Sequence, residues 1–126
     1  MKKSLARRIA LLVLMALLMV PTVASAASVG VTLYPTQYYV YSGAIGLSTF
    51  VDNSYTNASS SARDVYCYTE YSKPGQLWTR VRTQTVAPGN SSGVRVSQST
   101  AGSWRMNLNP VGSSTRDCYC WGTLRY

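Results

Sequence analysis

The chain has 126 residues, of which 46% are hydrophobic, 12 are basic and four are acidic, giving a formal charge of +8. This length allows a single domain in addition to a short targeting segment. There is no histidine, which excludes every Ser-His and Cys-His nucleophile. Three cysteines without histidine also provide no familiar zinc spacing. We therefore predict neither a cofactor nor a metal site.

The first 26 residues have the three-part pattern of a secretory signal peptide. Four basic residues are followed by the apolar run 9–20, and small residues occupy the peptidase recognition positions Ala24 and Ala26. The run is shorter than the roughly 20 residues that span a bilayer. We predict cleavage after Ala26 and export from a bacterial cell, with no membrane association afterwards. The segment holds four of the 12 basic residues and no acidic one, so the remaining chain carries +4.

Residues 27–126 are predicted to form one all-β domain. Short runs rich in Val, Thr and Tyr are separated by Gly, Pro, Asn and Ser, without a useful helical period. The predicted strands are 28–34, 37–41, 45–52, 64–72, 77–86, 93–97, 104–109 and 117–125. Seven or eight short antiparallel strands predict a two-sheet sandwich with immunoglobulin-like architecture.

Three polar segments are predicted to connect these strands. The segment 53–62 has no hydrophobic periodicity, so we expect a long surface loop there. Segments 87–93 and 109–115 combine Pro, Asn and Gly and are predicted to be turns. None of the three resembles a linker between domains.

A turn at 73–75 is predicted to join the two central strands. If Tyr71 pairs with Leu77, then Cys67 lies opposite Val81, and the more apolar sides of both strands face one core. A two-residue turn would instead place Arg82 opposite Cys67. A slip of one residue inverts every side chain, so burial favours the first register.

In the last predicted strand, Cys118 and Cys120 share one face. The segments RDVYCY, 63–68, and RDCYCW, 116–121, resemble each other and match Cys67 with Cys120. Disulfides persist in the oxidising setting of exported proteins, so we predict a Cys67–Cys120 bridge, or alternatively Cys67–Cys118. A Cys118–Cys120 bridge is disfavoured, because same-face neighbours on a strand lie nearly 7 Å apart at their Cα atoms. The third thiol is then a buried apolar residue, a link to another chain in a disulfide-linked homodimer, or a reactive group.

The four carboxylates give no catalytic prediction. A hydrolytic pair would have to face each other across a cleft. Glu70 is predicted on an outward face, while Asp64 and Asp117 begin strands next to arginines. Surface or ion-pair roles are therefore favoured, and we predict a protein that is not an enzyme.

The outward side of the central hairpin is the candidate ligand-binding face. The predicted register sets Tyr66 opposite Arg82, Tyr68 opposite Arg80 and Glu70 opposite Trp78. Aromatic rings interleaved with arginines suit an acidic polysaccharide or cell-wall polymer. The alternative is that these Tyr–Arg pairs only stabilise the sheet.

Three function classes follow from this reading. The first is a secreted binding protein that recognises cell-surface or extracellular acidic polysaccharide. The second is a self-assembling structural or adhesive subunit, in which the terminal strand WGTLRY adds to the sheet edge of a neighbour. The third is a secreted inhibitor or toxin that acts on another protein. Nucleic-acid binding is not predicted for an exported domain of modest charge.

Overall fold

The computed structural model of the chain describes residues 27–112 and 116–126. The predicted signal peptide and its cleavage after Ala26 lie outside these residues. The described part contains eight strands and no helix, so no helix in it could cross a membrane. The strands are β1 Ser28–Leu33, β2 Val40–Tyr41, β3 Ile45–Asn57, β4 Val65–Ser72, β5 Thr79–Val86, β6 Ser91–Ser92, β7 Arg95–Pro110 and β8 Cys120–Arg125.

All eight strands belong to one antiparallel hydrogen-bonded sheet. The order is β1-β8-β3-β7-β4-β5, with β2 paired to β7 and β6 paired to β3. This confirms the predicted all-β, antiparallel fold with seven or eight strands. The immunoglobulin-like two-sheet assignment is not confirmed, because β3 and β7 connect the whole set into one sheet.

The two longest strands change partners along their length. The first part of β3 pairs with β7, and its second part pairs with β8 and β6. The second half of β7 pairs with β4 and β2. The terminal strand β8 has hydrogen-bonded neighbours on both sides, β1 and β3. It therefore has no unpaired edge to add to another chain, contrary to the assembly argument from sequence.

The core lies between the two halves of this sheet. Tyr55 on β3 and Thr69 on β4 are buried, and their hydroxyls are 2.7 Å apart although the two strands are not hydrogen-bonded neighbours. The β8–β3 half therefore faces the β4–β5 half. Buried hydrophobic side chains fill the space between, including Leu33, Val51, Val65, Trp104, Met106, Leu108 and Leu124.

The predicted loop at 53–62 is wrong in its first half, because Asn53 to Asn57 continue β3. Asn53 and Asn57 are buried, and both side-chain amides donate to other segments of the chain. The Asn57 amide donates to the Arg63 and Val86 carbonyl oxygens at 2.9 Å each, while its own Oδ1 has no partner among the described residues. The Asn53 amide donates to Thr69 Oγ1 at 3.0 Å and to Gln84 Oε1 at 2.8 Å. Buried polar groups are tolerated when they are hydrogen-bonded, so a segment that looked like a surface loop forms part of the core.

Other predicted boundaries also need correction, and the predicted turn 87–93 contains the short strand β6. The predicted strands 93–97 and 104–109 are two parts of the single strand β7. The segment 98–103 between them is rich in small residues, but β7 continues through it. A Cβ on Gly102 would collide with the Tyr71 ring of the neighbouring strand β4. Glycine at this position therefore permits close packing of the two strands. The predicted strand 37–41 is reduced to β2, and β8 begins at Cys120 instead of 117.

The register predicted for the central hairpin is wrong. Tyr71 pairs with Thr79 instead of Leu77, and Cys67 pairs with Gln84 instead of Val81. The connection is longer than predicted because Leu77, which is 90% exposed, does not anchor a strand. A β-bulge then shifts the register again beyond the Glu70–Arg80 pair.

The predicted outward pairs change with the register. Tyr66 lies opposite Thr85 instead of Arg82, and Tyr68 lies opposite Thr83 instead of Arg80. Glu70 lies opposite Arg80 instead of Trp78. The bulge leaves Val81 without a partner residue between the Glu70–Arg80 and Thr69–Arg82 pairs, so Arg82 lies on the side of Thr69 instead of the predicted side of Tyr66.

Candidate functional site

Two of the predicted site residues, Tyr68 and Arg80, are in contact on the outward side of β4 and β5. The Arg80 guanidinium lies 3.4 Å from the centre of the Tyr68 ring. Tyr66 stacks on Tyr68 with a centroid distance of 5.9 Å and an interplanar angle of 24°. Arg80 reaches Tyr68 diagonally from its position opposite Glu70. The predicted contact is therefore present, although the predicted pairing is wrong.

Trp78 is part of a second cluster that centres on Arg105 of β7. The Arg105 guanidinium is 4.4 Å from the Trp78 ring centre and 4.5 Å from that of Tyr41. Its Nε donates a 2.7 Å hydrogen bond to Glu70 Oε1. Glu70 lies on the predicted outward face of β4, but these neighbours leave it only 8% exposed.

Sequence reasoning missed Arg105 and Tyr41 as members of this face. The signal for Arg105 was available in the segment WRMNLN, 104–109, because Trp104, Met106 and Leu108 alternate with it and are buried. Tyr41 carried no such signal, since β2 contributes only two residues.

Replacing Arg105 with Ala is expected to lower the free energy of unfolding by about 1.5–3 kcal/mol, the range for hydrogen bonds to charged groups. The change leaves the shielded Glu70 carboxylate without its donor and removes the contacts with two rings. Denaturant unfolding would measure the loss. Arg105→Lys is the control, and we expect partial destabilisation because an ammonium keeps the charge without the flat stacking surface. An Arg105→Ala protein as stable as the wild type would contradict this account.

The arginines of the described residues divide into paired and unpaired groups. Ion pairs join Arg63 to Asp117 at 2.8 Å, Arg95 to Asp52 at 2.7 Å and Arg105 to Glu70 at 2.7 Å. Within residues 27–112 and 116–126, the basic side chains without a carboxylate partner are Lys73, Arg80, Arg82, Arg116 and Arg125. Three of these five belong to the β4–β5 hairpin and its turn, and all three are exposed.

The aromatic rings of this face are not open stacking platforms. Tyr68, only 9% exposed, lies under Arg80, and Trp78 is half-buried under Arg105. The rings hold guanidinium groups in place, and the exposed guanidinium of Arg80 is available to solvent. We call the set Tyr66, Tyr68, Trp78 and Arg80 the arginine–tyrosine face. The predicted member Arg82 does not belong to it, because Arg82 pairs with the buried Thr69 and so lies on the other side of the sheet. A guanidinium group can donate paired hydrogen bonds to a carboxylate or phosphate.

Three of the four carboxylates, those of Asp52, Glu70 and Asp117, form ion pairs with arginines. Hydrogen bonds from Arg63 lower the pKa of Asp117, and hydrogen bonds from Arg95 lower the pKa of Asp52. Among the residues that the structure describes, no three Cys, Asp or Glu side chains are grouped as metal ligands.

The structure places Cys120, and not Cys118, against Cys67. All three cysteines are fully buried thiols in this structure. The neighbouring Cys120 thiol, together with burial, raises the pKa of Cys67 above its usual range. The Cys67 thiol itself donates to the Val65 carbonyl oxygen at 3.7 Å. The Cys118 thiol instead lies 3.5 Å from the Arg63 carbonyl oxygen and 3.5 Å from the Asp117 carboxylate. The Cys67–Cys120 disulfide stays a prediction, and a homodimer linked through Cys118 would require this residue to become exposed.

No family model matches the chain, and no curated protein matches it. Three solved structures are similar in their strand arrangement. PirA is 11% identical over 79% of this chain and 93% of its own, with a TM-score of 0.49. The Yersinia pseudotuberculosis-derived mitogen is 8% identical over 80% of this chain and 84% of its own, with a TM-score of 0.46.

The third is a subunit of the Bacillus endospore appendages, described as disulfide-linked pili. It is 18% identical over 81% of this chain and 84% of its own, with a TM-score of 0.43. TM-scores below 0.5 give no basis for transferring a function from any of the three.

Proposed function

We propose that the protein is an exported, non-enzymatic binding protein that recognises an acidic polysaccharide or cell-wall polymer. The observation that carries the proposal is the group of three exposed cations, Lys73, Arg80 and Arg82, on one hairpin without carboxylate partners. A polymer with repeated carboxylate or phosphate groups that lies along the β5 edge of the sheet could meet Arg80 on one side of the strand and Arg82 on the other.

The stacking of Arg80 on Tyr68 favours the binding of anions to this surface. A guanidinium can stack on an aromatic ring and still present its N–H groups to a carboxylate. Because Arg80 is stacked on Tyr68, less side-chain entropy is lost when an anion binds. Arg105 is already bonded to Glu70, so we assign it and Trp78 to support of the face instead of to direct binding.

The double variant Arg80→Ala/Arg82→Ala is expected to bind polygalacturonate at least tenfold more weakly, a factor that corresponds to about 1.4 kcal/mol. Affinity electrophoresis in gels containing the polymer would measure the change at fixed ionic strength, because salt screens exposed charges.

The matched control is Arg116→Ala/Arg125→Ala, which removes the same charge from two other exposed arginines without carboxylate partners. Arg116 even stacks on a tyrosine, 3.9 Å from the Tyr38 ring centre. We expect this control to bind nearly as well as the wild type. Equal weakening by both double variants would show attraction by net charge alone and would overturn the proposal.

A further inference from the structure

The outward side of β8 carries a second aromatic cluster on the opposite side of the core. Cys120, Gly122 and Leu124 point inward and are buried, while Trp121 and Thr123 alternate with them and are exposed. Trp121 pairs with Thr32 of β1 on one side and with Thr56 of β3 on the other. Trp121 is therefore flanked on both sides by threonine positions.

Three rings form a continuous exposed row on this side. The Trp121 and Tyr119 ring centres are 5.4 Å apart, and those of Tyr119 and Tyr34 are 5.9 Å apart. Their exposed fractions are 39%, 37% and 53% respectively. Within the part of the chain that the structure describes, no guanidinium stacks on any of the three. This distinguishes them from Tyr68 and Trp78, which are covered by arginines.

A groove of about 510 Å³ lies beside Trp121, with Gly30, Thr32 and Thr123 among its lining residues. Gly30 is exposed and has no side chain to fill the space. A Cβ placed on it would meet only the Gly122 carbonyl oxygen, at 3.7 Å. Among the residues that the structure describes, no charged side chain lines this shallow, open groove. It thus combines an aromatic wall with hydroxyl groups, the mixture of apolar surface and a few polar groups that is typical of ligand sites.

We infer that this surface, the tryptophan face of Tyr34, Tyr119, Trp121, Thr32 and Thr123 around Gly30, binds an uncharged glycan. A sugar ring has an apolar C–H side that can lie on the exposed Trp121 indole. Its hydroxyls both donate and accept hydrogen bonds, as threonine hydroxyls do. The lack of charge in the groove favours a neutral sugar over the anionic polymer proposed for the arginine–tyrosine face. The two sites are on opposite halves of the sheet, so this inference does not depend on the other proposal.

Two variants test the inference on an array of uncharged oligosaccharides built from hexoses and N-acetylhexosamines. Trp121→Ala removes the stacking surface, and Gly30→Leu fills the groove from a position with room for a side chain. The wild type is expected to bind at least one glycan class, and each variant should bind it at least tenfold more weakly, or about 1.4 kcal/mol. Arg80→Ala/Arg82→Ala should bind it like the wild type.

The inference is overturned if the wild type binds no uncharged glycan, or if binding survives Gly30→Leu in a folded protein. It is also overturned if Arg80→Ala/Arg82→Ala removes neutral-glycan binding, since the site would then be the other face. Thermal unfolding checks that each variant is folded. Should Trp121→Ala unfold, Gly30→Leu decides the question, because its effect does not come from lost packing.

Discussion

Under oxidising conditions, replacing Cys67 with Ala is expected to lower the free energy of unfolding by roughly 2–5 kcal/mol, the range for loss of a native disulfide in a small exported domain. The Cys67 and Cys120 thiols are neighbours in the core, on strands that are not hydrogen-bonded to each other. A bridge between them would close a loop of about 50 residues, worth roughly 4 kcal/mol in the chain-entropy model. Denaturant unfolding with and without a thiol reductant would measure the effect.

The response to reductant separates the bridge from simple packing. The wild type and Cys118→Ala should both lose stability when reductant is added, whereas Cys67→Ala and Cys120→Ala should not respond. In reductant, the four proteins should have similar free energies of unfolding. The remaining differences should come only from the loss of a buried cysteine side chain, which is a smaller effect than the loss of the bridge. If Cys118→Ala abolishes the response instead, Cys67 is bridged to Cys118. If the wild type does not respond at all, no bridge forms.

Alternation of side chains along the strands was sufficient to predict several features of this fold. It placed Cys67 in the core and put Cys118 and Cys120 on one inward face, and all three are buried. It also separated Tyr119 and Trp121 from the cysteines. Burial follows the simple two-residue period in β8, which holds Cys120 and Trp121. Cys118 and Tyr119 precede β8, and on β4 six of the eight residues are buried, so Cys67 is not distinguished there by alternation alone.

The same reasoning failed where partners come from distant parts of the chain. Asn53 is buried because Thr69 and Gln84, which are 16 and 31 residues away, satisfy its amide. A polar pattern alone cannot show that such partners exist. The bulge in the β4–β5 pairing likewise depends on which face of β5 packs best, since Gln84 and Val86 are buried beyond it.

The candidate site was predictable in composition but not in geometry. Tyr68 and Arg80 were expected to be in contact, and they are. The role of Trp78 depends on Arg105, which arrives from β7 and covers its ring. Trp78 was predicted to offer an open ring for stacking, but its ring is covered by the Arg105 guanidinium and supports it.

Of the three tryptophans, Trp104 is expected to be by far the most sensitive to truncation. Trp104→Ala should lower the free energy of unfolding by about 3–5 kcal/mol. The side chain is fully buried, its indole N–H donates to the Ser48 carbonyl oxygen at 2.9 Å, and its ring centre is 4.9 Å from that of Tyr71. Truncation leaves a cavity and a buried acceptor without its donor. Denaturant unfolding would measure the loss, which is large beside the roughly 5–15 kcal/mol of an ordinary domain.

Two matched variants show whether an indole serves packing or is free to serve binding. Trp104→Phe keeps a ring in the core and should cost less than Trp104→Ala. Trp121→Ala removes an indole that is 39% exposed, so we expect a much smaller change in stability. If Trp121→Ala were as destabilising as Trp104→Ala, the Trp121 ring would serve packing, and a binding loss in that variant could not be assigned to the tryptophan face. A small change would mean that an indole with little structural value is displayed beside an uncharged groove, which is the condition that a glycan site requires.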